Sequence, residues 1–188
     1  VGLYTSRVVL EALGEDDMGI YSVVGGVVAM FTIISGALNS AVSRFITFEM
    51  GKGEKAQLNK IYSTAVTIQL ILGAIVVILA EPIGIWFINN EMTIDQARIP
   101  EAVMVLHFSL AAFVVNLMSV PQMASITAHE KMSAYAYIGI LDAFLRLGTA
   151  LLIMNSSGDR LVQYAALMMV TVILVRIAYG VYCRRNFE

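Results

Sequence analysis

The chain of 188 residues is 59% hydrophobic and 14% charged, with a formal net charge of −2 and a mean hydropathy of +0.78. That balance excludes a nucleic-acid binder, which needs a cationic excess against phosphates, and a soluble domain, whose buried helices rarely stay apolar beyond about 10–14 residues in series. One cysteine, Cys183, excludes a disulfide framework and a thiolate metal site.

The first apolar stretch, 1–13, ends at the acidic cluster Glu15-Asp16-Asp17. As a helix it is ~20 Å long against a ~30 Å hydrocarbon core, so it reads as the distal part of a first span that begins before Val1. A second span over 18–48 would be about 46 Å long and must project from the membrane where Arg44, Glu49 and Lys52 stand. Gly51 and Gly53 break the helix, and a third span follows at 58–80. Glu81-Pro82 then introduces Ile83–Ile88, with the only tryptophan, Trp86, a segment expected at the headgroup level. Spans at 101–125, kinked by Pro121, at 134–154 and at 161–183 complete an all-α, polytopic transmembrane helix bundle of about six spans. The chain stops at Arg184-Arg185-Asn186-Phe187-Glu188, directly after a span, which together with the shortened first span points to a piece of a longer protein.

Basic residues orient the bundle. Arg44, Lys52, Lys55, Lys60, Lys131, Arg184 and Arg185, seven in all, share one side, and only Arg98 and Arg160 stand on the other. The positive-inside rule makes the seven cytoplasmic and turns 15–17, 89–100 and 155–160 outward.

Soluble-enzyme signatures fail on inspection. His129-Glu130-Lys131-Met132-Ser133 has serine where the second ligand of a zinc hydrolase must stand. Gly51-Lys52-Gly53-Glu54-Lys55 follows no strand and lacks the phosphate-loop ending. No metal, cofactor or catalytic residue is expected. His107, alone on an apolar span, reads as a buried, hydrogen-bonded histidine rather than a proton relay.

The polar residues within the spans carry more information, because a charge at the bilayer centre costs ~2.5–3.5 kcal/mol and demands a partner or water. Asp142 and Arg146, at i and i+4, share a helical face and can pair inside the bundle. Arg7 and Glu11 repeat the spacing. Thr32, Ser35, Asn39 and Ser43 form a stripe, flanked by Arg44, that fits either a helix–helix seam or a water-filled cavity. Gly25 with Ala29, and Gly36 with Ser40, have the spacing that lets two backbones approach. Arg176, ~12 Å before Arg184 along the helix, either snorkels to the inner surface or faces the interior.

Three blocks carry a resemblance. They are 4–14 (YTSRVVLEALG) with 19–26 (GIYSVVGG); Arg44-Phe45 with Glu49–Gly53; and Val120-Pro121 with Ala128–Met132 and Tyr135–Ile138. Together the chain resembles bacterial polysaccharide and O-antigen flippases, the lipopolysaccharide-biosynthesis branch of the multidrug/oligosaccharidyl-lipid/polysaccharide exporter superfamily. The resemblance implies one lobe, the N-terminal one, of a two-lobed transporter in the bacterial inner membrane. It implies alternating access that moves an undecaprenyl-pyrophosphate-linked oligosaccharide from the inner to the outer leaflet, beside membrane lipids and a C-terminal lobe, with no catalysis.

A pyrophosphate head and a hydrated glycan need a wet, cationic groove. Arg7, Arg44, Arg146 and Arg176 are the candidate phosphate contacts, with Asp142 as the partner of Arg146 and Ser35, Asn39 and Ser43 as candidates for sugar hydroxyls. The alternatives are a cation-coupled multidrug exporter of the same superfamily, which wants an acidic, aromatic-lined pocket, and an integral membrane glycosyltransferase or polymerase, which wants an arrangement of loop carboxylates.

Overall fold

In the computed structural model of the chain, described for residues 2–52, 55–154, 156 and 159–187 but not for the side chains at 3, 34, 35, 55, 56, 59 and 187, 91% of the chain is helix and no strand occurs among the described residues. The all-α class follows from the physics of the solvent: in hydrocarbon a backbone must satisfy its own hydrogen bonds, and a helix does so within one segment. The helices are α1 (Gly2–Leu13), α2 (Glu15–Ala29), α3 (Thr32–Lys52), α4 (Lys55–Asn90), α5 (Ile99–Leu117), α6 (Val120–Ala128), α7 (Met132–Met154) and α8 (Arg160–Phe187), with a 3-10 turn at Gln96–Arg98 before α5. Four helical stretches are long and apolar enough to cross a membrane: 60–90, 96–128, 132–154 and 160–186.

Helix ends obey local chemistry. Gly14 separates α1 from α2 with φ of 84°, a left-handed conformation open to glycine, and the carboxylates Glu15, Asp16 and Asp17 then meet the positive end of α2. Asp95 caps the 3-10 turn by accepting from Ala97 N. Asp159 Oδ1 accepts Leu161 N at 3.0 Å at the start of α8, and Arg184 and Arg185 sit in its last turn, against the negative end of the helix.

Three expectations are corrected. The stretch 18–48 is not one helix: a turn at Met30-Phe31 divides α2 from α3. Residues 83–88 are not a separate interfacial piece, since α4 runs unbroken through Pro82 to Asn90, where Asn89 and Asn90 donate to the carbonyls of Ile85 and Trp86. The fourth span does break near Pro121, but at Met118-Ser119, leaving Pro121 in the first turn of α6, where its missing N–H costs little.

Packing centres on α5, which lies against α8, α4 and α2; α7 packs on α8 and α1, and α3 packs on α6 and α4. The largest core joins Val9, Val24, Ala80, Ala102, Leu106, Leu117 and Leu161. Two smaller clusters are Ile126 with Ile138 and Tyr179, and Ile46 with Ala124 and Ala128. The small-residue spacings do not mark close helix contacts. A Cβ added at Gly25, Gly26 or Gly36 would meet nothing within 4 Å, whereas one at Gly84 would sit 2.6 Å from Leu106 Cδ2.

Candidate functional site

The open space beside Gly25 and Gly26 is a cavity. It measures about 660 Å³ between α1, α2, α7 and α8, and its polar lining comprises Thr5, Ser6, Tyr21, Ser22, Tyr164, Asp142 and Arg146. On α2, the residues Ser22, Gly25, Gly26 and Ala29 lie one turn apart on one face, so their small size creates the volume that larger side chains would fill. Tyr21 and Tyr164 meet across it edge to face, with ring centroids 4.8 Å apart.

Arg146 and Asp142 provide its charge. Arg146 Nε donates to both carboxylate oxygens of Asp142 at 3.0 Å, the geometry that an i, i+4 pair allows on α7. Neither side chain is buried: 46% of Arg146 and 29% of Asp142 remain accessible. Both lie ten to fourteen residues into the 23-residue α7, about 15–21 Å from its start, so the pair stands near the middle of a span-length helix. The same two residues also line a second recess of about 230 Å³ on the other side, with Asn116, Ser119, Tyr135 and Tyr179. The ion pair therefore stands between two polar spaces, with both groups partly accessible.

The other arginines are not brought to this pair. Arg7 is exposed on α1 and forms no ion pair with Glu11 among the described residues; its neighbours Thr5 and Ser6 face the cavity instead. Arg44 is exposed on α3 and Arg176 is half-buried on α8. Of the α3 stripe, the Ser35 side chain lies outside the described residues, Ser43 is half-buried, and Asn39 keeps a buried Oδ1 without a hydrogen-bond partner. Helix α3 packs on α6 through Ile46, against Ala124 and Ala128.

A third cavity, about 710 Å³, opens where the start of α2 meets the end of α4 and gathers Glu15, Asp16, Asp17, Glu91, Asp95 and Arg98. Arg98 Nη1 reaches Asp17 Oδ1 at 2.9 Å and Glu101 Oε2 at 3.7 Å, while Arg160 Nη1 donates to Ala12 O at 3.0 Å. These contacts tie α1 and α2 to α5 and α8 at that end. Among the described residues no group of three His, Cys, Asp or Glu is placed to hold a metal ion. His107 departs from its expected burial: its side chain is half exposed and Nε2 lies 3.1 Å from Glu81 Oε1 on α4.

No protein-family model, no curated protein and no solved structure matches this chain. The tyrosines, Ser22, Asn116 and Ser119 escaped sequence reasoning because each gains its meaning from a neighbour on another helix. One signal was present, the small face of Ser22, Gly25, Gly26 and Ala29.

Proposed function

We propose that this chain forms the N-terminal lobe of a two-lobed transporter of the bacterial inner membrane, with about six crossings to which α1 and the broken α2–α3 contribute beside the four span-length helices. Its cargo is an undecaprenyl-pyrophosphate-linked oligosaccharide carried from the inner to the outer leaflet, and no bond is made or broken. The observation that carries this reading is the Asp142–Arg146 pair, a partly accessible cation near the middle of α7 facing two polar cavities. The sequence resemblance supports the substrate class.

The chemistry is an exchange of ion pairs. At rest Asp142 neutralises Arg146. A pyrophosphate entering the cavity bears more charge and more oxygens than a carboxylate, so it competes for the guanidinium fork, and the hydroxyls of Thr5, Ser6, Ser22 and Tyr21 offer partners to a hydrated sugar. Once the anion leaves outward, Asp142 takes Arg146 back, so the empty carrier resets without an orphan charge.

A second reading has its own observation. Asp142 shares the larger cavity with the Tyr21–Tyr164 pair, an acidic, aromatic-lined pocket that suits an organic cation. One set of variants separates the two. In a strain lacking its own flippase, the full-length protein containing this chain restores surface polysaccharide, Arg146→Ala abolishes the rescue with membrane levels unchanged, and Arg146→Lys keeps part of it. Under the exporter reading Arg146→Ala retains function, and Asp142→Asn abolishes efflux of a cationic dye.

A further inference from the structure

Glu81 and His107 make a contact that the cavity chemistry does not use. They come from different helices, 26 positions apart, and meet with Nε2 3.1 Å from Oε1. Glu81 lies nine residues before the end of α4 at Asn90, and His107 eight residues after the start of α5 at Ile99, so each sits about 12–14 Å inside the helix end. The surrounding stretch 60–90 holds the most apolar segment among the four candidate spans. An ionisable pair within two helical stretches long and apolar enough to cross a membrane is a candidate functional site, because a merely structural contact there would cost less with neutral side chains.

The seam behind the pair is tight. Ala80 and Ala102 are fully buried, and Gly84 presses on Leu106, so α4 and α5 keep the two groups in contact. The pair is nevertheless accessible, with 50% of the His107 and 42% of the Glu81 side chain exposed.

No other charge is engaged with it among the described residues. On α5, Glu101 stands two turns outward, 3.7 Å from Arg98, and on α2, Asp17 is held by the same arginine. On α3, Glu49 binds Lys52 at 3.0 Å and Arg44 forms no ion pair with Glu81. On α8, Arg160 donates to Ala12 O, and α6 carries no charged residue.

We infer that Glu81 and His107 form a proton-binding site on the α4–α5 seam through which a proton gradient acts on the transport cycle; the second clause rests on the transporter reading above. The charge states make the case. With one proton the pair is neutral, as imidazolium and carboxylate or as imidazole and carboxylic acid. A second proton leaves +1 and loss of the first leaves −1, and in hydrocarbon either state needs water or a counter-charge. Proton number and exposure of the seam are thereby linked.

Two measurements on the full-length protein test this. In nanodiscs, infrared difference spectra between about pH 8 and 5 should show a protonated-carboxyl band that Glu81→Gln removes and imidazole bands that His107→Gln removes, each substitution also altering the other group's signal. Spectra in which neither substitution disturbs the other group overturn the site. In everted membrane vesicles given the strain's own undecaprenyl-linked precursor, lectin binding reports translocation and a lumenal dye reports proton exit. Either single variant should slow precursor-dependent proton exit at least tenfold. The swapped double variant, Glu81→His with His107→Glu, should restore it, which separates proton binding from misfolding. Translocation without proton movement in the wild type overturns the coupling and leaves the flippase reading intact. Failure of translocation with the coupled infrared bands present overturns the flippase reading and the coupling together, and upholds the proton site.

Discussion

Gly84 of α4 lies so close to Leu106 of α5 that a Cβ on the glycine would stand 2.6 Å from Cδ2 and 2.9 Å from Cδ1 of the leucine. Leu106 is itself fully buried, so it has no free space into which to turn. Gly84→Ala should destabilise the protein by about 1–3 kcal/mol, the usual cost of overpacking, and Leu106→Val should recover part of that loss in the double variant. Gly73 is the control: its Cβ would meet Val114 Cγ1 at 3.6 Å, ordinary contact, and Gly73→Ala should be neutral or slightly stabilising through helix propensity. Thermal unfolding of the detergent-solubilised protein checks the contrast; equal losses for both alanines would refute the seam.

Asp142→Ala should harm stability more than Asp142→Ala with Arg146→Ala, because the single change strands a cation in a cavity and the double change does not. Since both groups are partly accessible, the difference should be about 1 kcal/mol, read as roughly 2–4 °C in melting temperature. Identical melting of single and double variants would mean that the pair contributes nothing.

Arg98 joins Asp17 and Glu101 at one end of the bundle. Arg98→Ala should increase hydrogen exchange at the start of α2 and in 91–98, and Arg98→Lys should restore only part of the protection, since an ammonium offers one charge without the planar fork. Added salt should narrow the gap between wild type and variant, because the arginine is 39% exposed.

Orientation gives a fourth test. With Cys183 replaced by serine, a cysteine at Asp16 or Asp95 should react with an impermeant thiol reagent in intact cells, and one at Lys131 should react only after permeabilisation. All three positions are exposed in the structure, so differences in labelling report sidedness; the opposite pattern would invert the positive-inside assignment.

What could be read from the sequence was local. The Asp142–Arg146 pair is one helical turn long, and its spacing alone placed both groups on one face. Glu81 with His107 and Tyr21 with Tyr164 lie on separate helices, and nothing in one sequence says which faces of two helices meet. Pro82 was misread because a proline ends helices in water, whereas within packed spans neighbouring groups satisfy the carbonyl it frees. The turn at Met30-Phe31 carries neither glycine nor proline to announce it. Glycine itself is ambiguous: Gly84 is small because Leu106 crowds it, and Gly25 is small with nothing beside it at all.

The two interruptions, at Met30-Phe31 and at Met118-Ser119, fall in helices that pair with each other on both sides of the break, α2 with α5 and α3 with α6. Phe31 at the first break rests against Phe113, one turn before the second, with ring centroids 6.3 Å apart. Above this joint a single continuous core spans α1, α2, α4, α5, α7 and α8; below it α3 and α6 share the small cluster around Ile46. The bundle is built like an elbow at which two helices are broken and three, α4, α7 and α8, run through whole, lashing the upper core to the two smaller clusters below it.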